Sequence, residues 1–180
     1  FVETLQHLEL DSPDRERYLA LMAAQADRMQ TLVNDLLTLS RLEGSPPPGV
    51  SDWLAIDELV GQCAEEGRAL SAILWPVPTA PQEVRVHPVP SLELAGAPSE
   101  LRSALSNLIS NAVRYTPAGG LINVTAQLLS DGRLEIAVTD TGPGIAPEHL
   151  PRLTERSYRV DHSRSRRSGG TGLGLALAKH

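Results

Sequence analysis

The chain has 180 residues, 41% hydrophobic and 21% charged, the composition of a folded domain with a real core rather than of a disordered or collagen-like chain. Twenty-two acidic against 16 basic residues leave a formal charge of −6, and aromatics reach only 3%. That balance excludes a basic surface tracking phosphates and rows of rings stacking on bases, so nucleic acid is not an expected partner.

Cys63 is the single cysteine, which excludes an internal disulfide and reads as a reduced, buried thiol in a reducing compartment. No run approaches the roughly 18 apolar residues of a membrane span, and no secretory leader is legible, so no direct membrane contact is expected of these residues. Apolar series are cut short at Phe1 and at His180, as in a fragment of a longer chain.

From Asp14 to Leu42 the pattern is helical. Tyr18, Met22, Met29, Leu32, Leu36 and Leu39 recur at threes, fours and sevens, with Leu19, Ala26, Val33 and Leu37 widening the stripe. A stripe that wide wants more than one partner helix. Phe1, Leu5 and Leu8, ending before LDSPD, read as the tail of a preceding helix in an antiparallel hairpin. The segment GSPPPG at 44–49 stops the helix and acts as a stiff linker, placing a domain boundary near residue 46.

Beyond it the chain predicts a short strand near Trp53, a helix from Ile56 to about Ile73, a weak strand at 84–86 and another within 92–96. A helix then opens at Pro98, preceded by Ala97 as a poor cap, with Leu101, Leu105, Leu108, Ile109 and Ala112 on one face. LINVTAQLL at 121–129 and RLEIAVTD at 133–140 flank Asp131-Gly132 as a hairpin. The fold class is α+β: a helical-hairpin bundle segment followed by a sheet with helices on one face.

Three motifs carry chemistry. In NLISNAVRYTP at 107–117, Asn107 and Asn111 lie one helical turn apart on one face, where neutral carbonyl oxygens suit a hydrated Mg²⁺ bound to nucleotide phosphates. Alone, such a pair reads more readily as solvent-facing polar residues. In DTGPGI at 140–145, Asp140 ends a strand and can accept a hydrogen bond from an adenine amino group, while Gly142 and Gly144 permit a sharp turn beside a ligand. An ordinary Asp-x-Gly turn is the competing reading. GGTGLGLALAK at 169–179 is a glycine-rich loop leading into an apolar helix, where backbone amides can face phosphate oxygens. It matches neither the dinucleotide fingerprint, since Leu175 stands at the third glycine position, nor a Walker loop, since Ala178 precedes the lysine.

In this order, with 29 residues from Asn111 to Asp140 and 30 from Asp140 to Gly170, the motifs make the chain resemble a sensor histidine kinase of two-component systems. RMQTLVNDLLTLSRLE at 28–43 is similar to the bundle ends of phosphate-regulon-type sensors. The resemblance implies part of a dimerisation and phosphotransfer hairpin at 1–46. At 47–180 it implies an ATP-binding catalytic domain, a two-layer α/β sandwich of the GHKL type whose last strand or strands lie past His180. It makes ATP and Mg²⁺ the ligands, with Asn111 on the metal and Asn107 supporting the metal and phosphate network. Arg114 would contact phosphate, Tyr115 would pack on adenine and Asp140 would receive its amino group. Gly142 and Gly144 would shape the base pocket, Thr171 would approach the base through water, and Gly170, Gly172 and Gly174 would cradle phosphates. Between them a lid at about 150–170 would present Arg159 and Arg164 to the terminal phosphates, with Arg166 and Arg167 solvated.

Two departures qualify the resemblance. Where the family reads Phe-x-x-Phe, this chain has Thr154-Glu155-Arg156-Ser157, and the loss of an aromatic at Ser157 removes about 1–3 kcal/mol of burial, loosening the lid. The phosphoacceptor histidine is also absent: His7 lacks the acidic box around it, so the fragment is expected to bind nucleotide without autophosphorylating. His87, His149, His162 and His180 show no metal-ligand spacing. The implied partners are a second copy through the bundle and a response regulator. The implied location is cytoplasmic, on the inner face of a membrane-anchored parent. GHKL proteins that hydrolyse ATP keep a general-base glutamate where Asn107 stands, which argues against the topoisomerase, mismatch-repair and chaperone branches. The remaining alternative is a degenerate kinase that serves as a nucleotide- or partner-binding module.

Overall fold

The computed structural model describes residues 12–44, 52–76, 78–155, 158, 160 and 175. Helix α1 spans Ser12–Gly44, extending the predicted helix by two residues at each end. Among its described side chains, Leu19, Leu21, Met29, Val33, Leu36 and Leu37 are exposed. The preceding helix of the expected hairpin and residues 45–49 of the expected linker lie outside the described residues, while Gly44 closes α1.

Strand β1 (Trp53–Ala55) runs directly into helix α2 (Ile56–Leu74). Strands β2 (Glu83–Val86) and β3 (Glu93–Ala95) follow, then helix α3 (Pro98–Tyr115) and strands β4 (Leu121–Leu128) and β5 (Leu134–Asp140). A 3₁₀ turn at Pro147–Arg152 was not anticipated from the sequence. Pro98 sits in the first turn of α3, and Ala97 supplies no side-chain cap, as its methyl group dictates.

The strands form two sheets: β1 pairs antiparallel with β3, and a three-stranded sheet has the order β2-β4-β5. Strand β2 runs parallel to β4 with Val84 opposite Ile122, and β4 runs antiparallel to β5 with Ile122 opposite Asp140. The hairpin turn is drawn from Leu129 to Gly132, whose N–H donates to the Leu129 carbonyl at 3.0 Å, so Gly132 closes the turn.

The core forms between this sheet and the two helices. Ile56, Leu59, Val60, Cys63 and Ala64 come from α2, and Leu105, Ile109, Ala112 and Val113 from α3; they meet Val84, Ile122, Val124 and Ala126 of the sheet. Strand β4 buries alternate residues, the period-2 signature of a sheet covered on one face. Each fully buried Ile or Val here contributes about 1.5–3 kcal/mol, which makes this contact the anchor for everything at the end of α3. The predicted face of α3 is recovered, with Leu101 and Leu108 half-buried at its margins.

Candidate nucleotide site

The C-terminal turn of α3 and the loop after β5 converge. Asp140 ends β5 on an exposed side chain, and its Oδ1 accepts the Gly142 N–H at 2.7 Å. This local bond closes the loop in an Asx turn and fixes the carboxylate. Thr141, which was not singled out from the sequence, fastens the same loop to β4: its N–H donates to the Leu121 carbonyl at 3.1 Å, and its Oγ1 accepts the Leu121 N–H at 3.0 Å. A Cβ at Gly142 would lie 2.6 Å from Asp140 Oδ1 and 3.1 Å from the Tyr115 carbonyl oxygen, so only glycine lets the loop approach the helix end this closely. Gly144 has φ +71°, a left-handed conformation that strains any residue with a side chain.

On α3, Asn107 and Asn111 are half-buried and one turn apart, as the spacing predicts. Arg114 is half-buried, and burial pushes its pKa down while the guanidinium stays charged. The Tyr115 ring is half exposed. Arg114, Tyr115 and Gly142 line a cleft of about 500 Å³ together with Trp75, Thr116 and Pro143. Asn107 borders a separate groove of about 170 Å³ between α2 and α3, beside Cys63 and Ser106.

The structure therefore brings together Arg114, Tyr115 and Gly142, with Asp140 bonded to Gly142; Gly144 follows two residues on in the same loop, and Asn107 and Asn111 lie further along α3. Arg159, Arg164, Gly170, Thr171, Gly172 and Gly174, and the variant position Ser157, lie outside the described residues. Sequence reasoning missed Gln82. Its buried side chain joins α2 to the end of α3, and nothing in TAPQEVRV distinguishes it from a loop residue.

Two family models match this chain: "His Kinase A (phospho-acceptor) domain" over residues 1–45, and "Histidine kinase-, DNA gyrase B-, and HSP90-like ATPase" over residues 96–180. The chain belongs to the sensor histidine kinase family. It is 44% identical to the phosphate regulon sensor protein PhoR of Pseudomonas aeruginosa, over all of this chain and 39% of that protein. It is 38% identical to the sensor-like histidine kinase SenX3 of Mycobacterium tuberculosis, over 94% of this chain and 40% of that one. It thus spans about two-fifths of these relatives. Among solved structures, full-length ShkA in complex with AMPPNP superposes with a TM-score of 0.71 at 29% identity, covering 97% of this chain and 35% of that one. The mycobacterial sensor kinase MprB gives a TM-score of 0.56 at 29% identity, over 71% and 75% of the two chains. The α+β architecture, a bundle helix followed by a GHKL-type domain, is the fold of this family. Among the described residues no helix is long and apolar enough to cross a membrane.

Proposed function

We propose that this chain is the ATP-binding core of a two-component sensor kinase, which transfers the terminal phosphoryl group of ATP to a histidine and onward to an aspartate of a response regulator. The supporting observation is the close seating of the Asp140-Gly142 loop on the α3 end that carries Tyr115. This puts a carboxylate acceptor, an aromatic face and the Arg114 cation within one small region. That set suits adenine and an adjoining phosphate: the carboxylate accepts from the amino group, the ring packs on the base and the guanidinium meets the anion.

The two asparagines fit a magnesium ion, because their side-chain carbonyls are hard neutral oxygens on one face of a rigid helix. Asn111 would hold it, with Asn107 in support, and the ion when bound would neutralise charge on the phosphates. Arg159 and Arg164 are proposed to face the terminal phosphates, and Gly170, Thr171, Gly172 and Gly174 to close over the nucleotide. The histidine that accepts the phosphoryl group is proposed to belong to the longer parent, which works as a homodimer on the cytoplasmic side of its membrane.

Calorimetric titration with Mg-ADP tests the pocket without that histidine. Saturable binding is expected, abolished by Asp140→Asn and made insensitive to Mg²⁺ by Asn111→Ala. A folded wild-type chain that binds no Mg-ADP would overturn the reading in favour of a degenerate kinase.

A further inference from the structure

Gln82 is 5% exposed, lies between α2 and β2, and every polar atom of its side chain is engaged. Its Nε2 donates to the carbonyls of Val113 at 2.9 Å and Thr116 at 2.7 Å. Its Oε1 accepts the hydroxyl of Ser71, whose Oγ in turn accepts the Gln82 backbone N–H at 2.9 Å. Ser71 and Thr116 are themselves buried.

The last carbonyls of a helix have no partner within it, and a buried end must find one elsewhere. Here a single side chain caps two carbonyls that bracket Tyr115, and ties them to α2 through Ser71. The Tyr115 carbonyl between them is the backbone atom on which Gly142 rests. A shift of a few tenths of an ångström in that turn therefore moves the Tyr115 carbonyl against which the Asp140 loop is seated.

We infer that Gln82 is a positioning residue for the nucleotide pocket: through the α3 carbonyls it holds Tyr115 and the Asp140-Gly142 loop in register. The amide is suited to this role because it offers two donors and one acceptor, matching two carbonyls and one hydroxyl. No hydroxyl or carboxylate supplies that set. The inference rests on the nucleotide reading above, and the test separates the two.

Mg-ADP affinity is measured by calorimetry at 10 °C for wild type, Gln82→Met and Gln82→Glu, with folding of each checked by circular dichroism. Met keeps the length and loses the bonds; a dissociation constant raised about tenfold or more in a fully folded variant is expected, corresponding to about 1.4 kcal/mol. A purely structural role would lower the melting temperature and leave this constant unchanged. In Gln82→Glu a neutral carboxyl can donate one bond, whereas an ionised one meets two carbonyl oxygens. Its affinity is expected to approach wild type at acid pH and to weaken as pH rises, relative to wild type at each pH. If Gln82→Met does not fold, this pH profile decides alone. Wild-type binding with folded Gln82→Met equally tight, or a Gln82→Glu profile parallel to wild type, would overturn the positioning role while leaving the pocket standing. Absence of Mg-ADP binding by wild type would remove both.

Discussion

The carbonyl oxygen of Tyr115 lies where a side chain on Gly142 would have to go, 3.1 Å from the position of its Cβ. The neighbour is backbone at the end of a helix, flanked by the Val113 and Thr116 carbonyls that Gln82 caps, so it cannot yield as a flexible side chain would. Gly142→Ala is expected to push the loop off α3 and weaken Mg-ADP binding about five- to 150-fold, the range set by about 1–3 kcal/mol of overpacking. Calorimetry reads this directly; unchanged affinity would show that the close approach is irrelevant to the pocket.

Thr116 presents the opposite case. It is 1% exposed, and among the described residues its Oγ1 has no hydrogen-bond partner. A buried hydroxyl left unpaired is destabilising, and replacing it by a methyl group of similar shape removes that penalty. Thr116→Val is expected to be neutral or to stabilise by about 1 kcal/mol in urea denaturation. A loss of similar size would mean that the hydroxyl has a partner in solution.

Stability should fall at both ends of the pH range, and one cluster between α2 and α3 contributes to each limb. The Arg102 guanidinium, bonded to Glu66, holds that carboxyl below the usual range, and Ser106 adds a hydrogen bond at 3.0 Å. A lowered folded pKa gives stability that is present above the ordinary value of about 4.3 and lost as pH falls through the folded value. Burial pushes the Cys63 thiol up, partly offset by the Ser106 hydrogen bond, so its contribution is present below the ordinary value of about 8.5 and lost as pH rises. Urea midpoints measured against pH should show a shallower acid limb in Glu66→Gln, where the pairs Glu83–Arg85 and Asp131–Arg133 still contribute. Cys63→Ala should flatten the alkaline limb. Limbs identical to wild type would remove the assignment.

The exposed stripe on α1 predicts association. Met29 and Leu36 are seven residues apart, Val33 lies between them, and all three are at least half exposed. Heptad spacing of this kind buries itself in a partner helix. Light scattering on a size-exclusion column is expected to show a concentration-dependent dimer that Leu36→Glu shifts to monomer. A chain that stays monomeric at every concentration would contradict it.

Much of the candidate site's local geometry was legible because its signals are local. Asn107 and Asn111 share a face through helical spacing alone, and Asp140 stands at a strand end because LEIAVT alternates and glycines follow. Composition and periodicity likewise carried the order of helices and strands, since burial of one face imposes a period of 3.6 or 2 on the residues themselves. Tertiary structure alone decided which ends meet. The parallel pairing of β2 with β4, the seating of Gly142 on Tyr115 and the capping of α3 by Gln82 join residues about 25–40 apart, and no local period records such contacts. A buried amide that satisfies carbonyls on another element leaves no trace in its own neighbourhood of the sequence, because what selects it is the set of unpaired groups that folding brings to it.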